Sequence, residues 1–199
     1  MVKRLFDILV SLLALGLVYP VMLVIAIAVR ADSRGAVIFR QRRAGLNGKS
    51  FVMLKFRSMR TESDPYGISP GSGQDPRLTR VGRFLRETSL DELPQLFNVL
   101  SGDMSLVGPR PLYERQAAQW DARQRGRLDV RPGITGWAQV SGRGDLPIED
   151  KIELDLWYVQ HQSLWLDVKI IFNTIQNALK GRANIYEKQY SREHKREQV

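Results

Sequence analysis

The chain has 199 residues, no cysteine, two histidines and a formal net charge of +9. Without thiols there is no disulfide framework, thiolate metal site or cysteine nucleophile, and histidine-based acid–base chemistry has few candidates. Carboxylates and cations must therefore carry any catalysis, and the cationic excess points to an anionic partner: nucleic acid, an acidic membrane surface or phosphate-bearing substrates.

From Ile8 to Val29 no charge interrupts a run dominated by Leu, Val, Ile and Ala, which is the length of a membrane-spanning helix. Ala26-Ile27-Ala28 offers a small-x-small cleavage site, but the apolar run is too long for a signal peptide and continues into a basic domain. Lys3 and Arg4 precede the run; Arg30 and Arg34 follow it. Basic flanks at both ends satisfy the positive-inside preference best if both ends stay cytoplasmic. Tyr19-Pro20 lies near the middle, where proline removes a helix hydrogen bond and kinks the chain. The expectation for residues 1–34 is a bent, re-entrant helix that enters one leaflet and returns, with a kinked span as the alternative.

Val37-Ile38-Phe39 and Phe51-Val52-Met53-Leu54 flank Gly45-Leu46-Asn47-Gly48, a hairpin pattern with Asn47-Gly48 at the turn. Alternation along the second strand puts Lys55 and Arg57 on one face. With Arg40, Arg42 and Arg43 they form a basic platform for anionic lipid or substrate phosphates. Residues 61–79, rich in Ser, Asp, Pro and Gly, read as a mobile loop. Within it Gly67-Ile68-Ser69-Pro70-Gly71 has the G-x-S-x-G form of hydrolases. It fails chemically, because the oxyanion hole needs an N–H from the residue after the serine and Pro70 has none.

Ser89-Leu90-Asp91-Glu92-Leu93-Pro94-Gln95-Leu96 places adjacent carboxylates between a basic run and an apolar one. Ser89 with Glu92 has capping-box spacing; alternatively Asp91 is the cap and Pro94 falls in the first turn. Either way the acids stand at a helix start, whose positive end favours their ionised form. Consecutive helical residues point about 100° apart, so both acids can serve one metal only where that start is irregular.

A short apolar strand at Ser105-Leu106-Val107 runs into Gly108-Pro109-Arg110-Pro111, where flanking prolines stiffen an arginine suited to bidentate phosphate recognition. Residues 112–128 read as a polar amphipathic helix. Residues 131–143 bring glycine turns between strand-like pieces, a loop able to offer backbone N–H groups and Arg143 to an anion. From Ile152 to Leu179 apolar residues recur at helical spacing with Trp157, Tyr158 and Trp165 among them, favouring a membrane–water interface or packing on the core. Asp155 and Asp167 interrupt that face. The tail from Lys180 is charged.

Four blocks, taken in order, carry a family resemblance: Lys55-Phe56-Arg57-Ser58-Met59, Thr88 through Val99, Gly102 through Pro111, and Val130 through Val140. The chain resembles the bacterial sugar transferases, the monotopic polyprenyl-phosphate phosphoglycosyl transferases, in a minimal form. The resemblance implies an α/β fold, mostly helical with small β-hairpin elements. It divides the chain into a membrane-anchoring helix at 1–34, a cytoplasmic catalytic domain with interfacial amphipathic helices at 35–180, and a charged tail at 181–199.

It implies transfer of a sugar phosphate from a UDP-sugar to polyprenyl (undecaprenyl) phosphate with release of UMP, an early membrane step of polysaccharide synthesis. The setting is the cytoplasmic face of the bacterial inner membrane. Mg²⁺ is implied, as is a covalent phosphosugar on Asp91 with Glu92 as dyad partner, binding metal or relaying a proton. Phosphate-binding roles fall to Lys55, Arg86, Arg110 and Arg143, with Arg57 added from the strand pattern, and Asp167 becomes a functional acid. The family's helix break is a Ser-Pro pair, here Tyr19-Pro20.

Residue chemistry agrees with these roles. Aspartate, with a reference pKa near 3.9, needs no base to become a nucleophile, and clustered cations with a metal would screen it from a diphosphate. A tethered nucleic-acid module has charge in its favour but no fold signature; a metal-dependent nucleotide-sugar hydrolase is the other rival. The oligomeric state stays open, a homodimer included.

Overall fold

The computed structural model describes residues 1–64, 66–67 and 69–179, with the side chains of Arg143 and Leu179 excepted. The charged tail, and Pro65 and Ile68 of the 61–79 loop, lie outside the described residues.

Helix α1 (Val2–Asp32) is the longest element. At 1.5 Å per residue it runs for about 46 Å. It is hydrogen-bonded as one helix with Pro20 inside, so the expected break at Tyr19-Pro20 does not divide it. One missing N–H removes a single i→i−4 bond. Packing carries the helix past that point: Leu15 and Val18 before it, and Met22 and Ile25 after it, all lie against the domain.

Both ends of α1 are tied to that same domain. Near the start, Lys3, Asp7 and Ser11 share one face at i, i+4 and i+8. Lys3 Nζ donates to Asp167 Oδ2 at 2.6 Å, and Asp7 accepts from Ser105 Oγ and the Leu106 N–H at 2.9 and 3.2 Å. Arg4 donates to the carbonyls of Val99 and Leu100. At the far end, Arg57 donates to the carbonyls of Val29, Ser33 and Arg34, occupying acceptors that a helix terminus leaves open. The opposite face of α1 stays apolar and uncovered, with Leu13, Leu17, Val24 and Ile27 between 66% and 81% exposed. Phe84, Trp165 and Phe172 of other helices are exposed as well.

Strands β1 (Ile38–Ala44) and β2 (Ser50–Phe56) form the expected hairpin, pairing Phe39 with Lys55 and Ala44 with Ser50. The turn is longer than two residues, a 3₁₀ turn at Leu46–Gly48, and Asn47 and Gly48 both take positive φ. After the 61–79 loop come α2 (Arg80–Glu87) and α3 (Gln95–Ser101). Thr79 caps α2 by accepting from the Gly82 N–H.

Strand β3 (Ser105–Val107) pairs in parallel with β4 (Gly133–Thr135). They approach so closely that a Cβ on Gly133 would lie 2.1 Å from the Gly108 nitrogen. The region 112–128, expected as one helix, is broken into α4 (Glu114–Ala118) and α5 (Ala122–Arg125) with a 3₁₀ turn at Gly126–Leu128. Asp121 restarts the chain by accepting from the Gln124 N–H, a cap that competes with helix continuation.

Gly-rich 131–143 supplies β4 and then α6 (Trp137–Ser141) rather than strands alone. Helices α7 (Ile148–His161) and α8 (Leu164–Leu179) follow, divided where Ser163 accepts from the Leu166 N–H. The main core joins Met53 of β2, Val99 of α3, Val107 of β3, Tyr158 of α7 and Ile170 of α8, with one side of α1 laid against it.

Candidate active site

Between α2 and α3 the chain makes a single 3₁₀ turn, Leu90–Glu92, entered through Ser89 at φ 60°. Neither capping expectation holds. A cap residue needs extended backbone, Ser89 is left-handed and makes no side-chain cap, and Pro94 stands at the N-cap of α3 rather than in its first turn. This is the irregular start that two adjacent acids need to face one site. Both are turned inward: Asp91 is 5% and Glu92 8% exposed.

They line a cleft of about 750 Å³, together with Lys55, Arg86, Arg110 and Gln139. Lys55, carried on β2, donates to Glu92 Oε1 at 2.7 Å, and Arg110 Nη2 donates to the same oxygen at 3.1 Å. Two cations from distant parts of the chain thus converge on one carboxylate. The prolines beside Arg110 aim it from the loop after β3, and about a third of its side chain is open to the cleft.

Burial pushes Asp91 above the ordinary carboxylate range; Lys55 pulls it back, Glu92 adds to the rise, and Arg86 and Arg110 pull it back further. Lys55 in turn is lowered, burial first, with Glu92 opposing. Ionised aspartate is therefore not given by residue type alone, as its reference value suggested. It depends on the surrounding cations.

The other expected site residues divide. Arg86 faces the same cleft. Arg57 also borders it, but its guanidinium is held by the carbonyls at the C-terminus of α1. Strand β2 ends at Phe56, so the alternation that paired Arg57 with Lys55 does not extend to it. Asp167 is fully buried, accepting from Lys3 and from Tyr158 Oη at 2.6 Å each. That network, which also drives the Tyr158 hydroxyl far up by burial first, ties α8 and α7 to α1 and does not line the cleft. The side chain of Arg143 lies outside the described residues.

Of the basic platform, Arg43 stacks on the Tyr113 ring, 3.7 Å from its centre, and donates to the Pro111 carbonyl, while Arg40 and Arg42 stay exposed. Two residues, one supporting β2 and one lining the cleft, escaped the sequence reading. Asn98 is a polar residue within apolar α3; it accepts from the Leu54 N–H at 2.9 Å and donates to the Val52 carbonyl at 2.8 Å, fastening the free edge of β2. Its placement inside an apolar helical run was the available signal. Arg127 is 3% exposed and paired with Asp155; no local pattern marked it.

Among the described residues no three acids or imidazoles gather as a metal cage. Mg²⁺ needs none, since it is commonly held by one or two carboxylates with waters and substrate phosphates. Adjacent Asp91 and Glu92 fit that mode, and they are the residues that would hold it.

The family model described as bacterial sugar transferase matches residues 1–181. The undecaprenyl-phosphate glucose phosphotransferase of Komagataeibacter xylinus is 46% identical over 196 residues, 90% of this chain and 36% of its own length. The UDP-glucose:undecaprenyl-phosphate glucose-1-phosphate transferase of Escherichia coli K12 is 46% identical over 183 residues, 88% of this chain and 39% of its own. The uncharacterized sugar transferase EpsL of Bacillus subtilis is 45% identical, covering 89% of this chain and 87% of itself. The chain thus spans under two fifths of the length of the first two relatives and most of the third.

Proposed function

The chain belongs to the bacterial sugar transferase family, and on that premise we propose that it moves a sugar phosphate from a UDP-sugar to polyprenyl phosphate, releasing UMP. The observation that carries this reading is the buried Asp91-Glu92 pair facing a cleft into which Lys55, Arg86 and Arg110 converge. Relatives of this chain bear names for undecaprenyl-phosphate sugar transfer with glucose and with N-acetylgalactosamine.

In the proposed course an Asp91 carboxylate oxygen attacks the sugar-proximal phosphorus. The bond from that phosphorus to the bridging oxygen breaks, and the bond's electrons leave with UMP. An oxygen of the lipid phosphate then attacks the aspartyl phosphosugar, frees the carboxylate and forms the polyprenyl diphosphosugar. Arg110, Arg86 and Lys55 neutralise the diphosphate, which would otherwise repel the nucleophile. Mg²⁺, held by Asp91 and Glu92, would add charge neutralisation at the phosphates. Arg57 and Asp167 are assigned to holding the anchor helix, and the acceptor reaches the cleft from the lipid beside α1.

The same reading makes the protein monotopic on the cytoplasmic face of the inner membrane. Supporting it, both ends of α1 are bonded to one domain while its outer face is apolar. A helix crossing the bilayer would have to carry one end away from that domain.

The test incubates purified protein with a panel of UDP-sugars, Mg²⁺ and undecaprenyl phosphate while UMP is followed. Lipid-dependent UMP release that Asp91→Asn abolishes is the expected result. Continuous UMP release without the lipid, beyond the one equivalent per protein that the first step yields, would make the protein a hydrolase, and near-normal turnover by Asp91→Asn would remove the covalent course.

A further inference from the structure

The backbone that presents Arg110 is gripped at successive carbonyls. Val107 accepts from Lys3 and Tyr158, Pro109 from the Gly133 N–H, and Leu112 from the Ala44 N–H. Pro111 accepts from Arg43. The carbonyl of Arg110 itself accepts from Arg127 Nη2 at 3.0 Å. That same nitrogen also donates to Asp155 Oδ2.

A buried arginine and carboxylate favour a two-bond fork, which satisfies both groups and fixes their orientation. Here the fork is not made. Arg127 Nη1 and Asp155 Oδ1 are both buried without a partner, an arrangement that costs free energy unless something else requires it. The guanidinium is offset so that one nitrogen serves both Asp155 and the Arg110 carbonyl, with Trp120 under it at 4.9 Å. Packing and pairing alone do not account for that offset; holding the Arg110 peptide does.

We propose that Arg127 is a positioning residue for the transfer reaction, fixed by Asp155, that aims the Arg110 guanidinium into the cleft. It touches neither substrate nor the reacting atoms and acts only through Arg110. The inference rests on the UDP-sugar reading above and extends it to a residue outside the matched motif blocks.

The experiment is a double-mutant cycle on the full chain in detergent or lipid nanodiscs, following UMP release. Arg127→Lys keeps a cation beside Asp155, but its side chain is shorter and its ammonium has no rigid plane to hold one nitrogen at the Arg110 carbonyl; it is expected to lower kcat/KM by about tenfold or more, as small misplacements of a positioned group do. In an Arg110→Ala background the same change is expected to alter kcat/KM less than twofold. The doubly apolar Arg127→Met/Asp155→Leu, which leaves no buried charge unpaired, is expected to unfold at a midpoint near that of the parent while showing the Arg127→Lys loss. Arg127→Lys with parental kcat/KM, or an equal loss with and without Arg110, would overturn the proposal and leave the pair structural. Absence of UMP release from the unaltered protein with every donor would instead remove the functional reading itself.

Discussion

Replacing Asn98 by alanine separates positioning from chemistry at the cleft. Its amide closes the free edge of β2 with two hydrogen bonds, to the Leu54 N–H and the Val52 carbonyl. Lys55 is the next residue, and α3, which carries Asn98, begins just after Asp91 and Glu92. Each backbone group left buried without a partner costs about 1–3 kcal/mol. Both bonds are partly buried, so water recovers part of the loss at each. A net cost of about 2–3 kcal/mol follows, which for a chain of this size lowers the midpoint by roughly 5–10 °C. Thermal unfolding by circular dichroism reads the first effect. UMP release, measured well below the new midpoint, reads the second, and kcat/KM is expected to fall because Lys55 is no longer registered against Glu92. Asn98→Asp keeps the acceptor for Leu54 but sets a carboxylate against the Val52 carbonyl, and should be impaired as well. A midpoint within 1 °C of the parent together with full turnover would refute the reasoning.

Lys3→Met removes one partner of fully buried Asp167 and is expected to cost about 2 kcal/mol, at the low end because Lys3 is partly exposed; faster proteolysis of α1 would accompany the lower midpoint. Gly133→Ala puts a Cβ into the Gly108 backbone and should abolish the β3–β4 pairing, seen as loss of folded protein on size exclusion. Burial pushes Asp155 up to about 6, with Arg127 opposing. An acid raised on folding stabilises the fold in its protonated form, so this contribution is complete below about pH 4 and is lost as pH rises through about 6. Midpoints measured from pH 4 to 7 should therefore show a smaller alkaline decline in Asp155→Asn than in the parent; an identical profile would contradict the assignment.

Some of this was written in one dimension. The charge-free run from Ile8 to Val29, the Asn47-Gly48 turn and the proline-flanked Arg110 are local patterns, and local physics sufficed to read them: hydropathy, turn chemistry and a restricted φ. The acids at 91 and 92 stood out for the same reason, as did the scarcity of histidine. Other features depended on partners far along the chain. Arg57 and Lys55 differ by two positions, yet one meets the carbonyls of α1 and the other meets Glu92, because the strand ends between them. Asp167 and Asp155 looked alike as acids on an apolar face; Lys3, 164 residues away from Asp167, and Arg127, 28 away from Asp155, gave each of them a cationic partner. Residue type sets which charges a chain carries. Only burial and the long-range meeting of elements decide which of those charges are left to face a substrate, since desolvation makes each buried one find a partner.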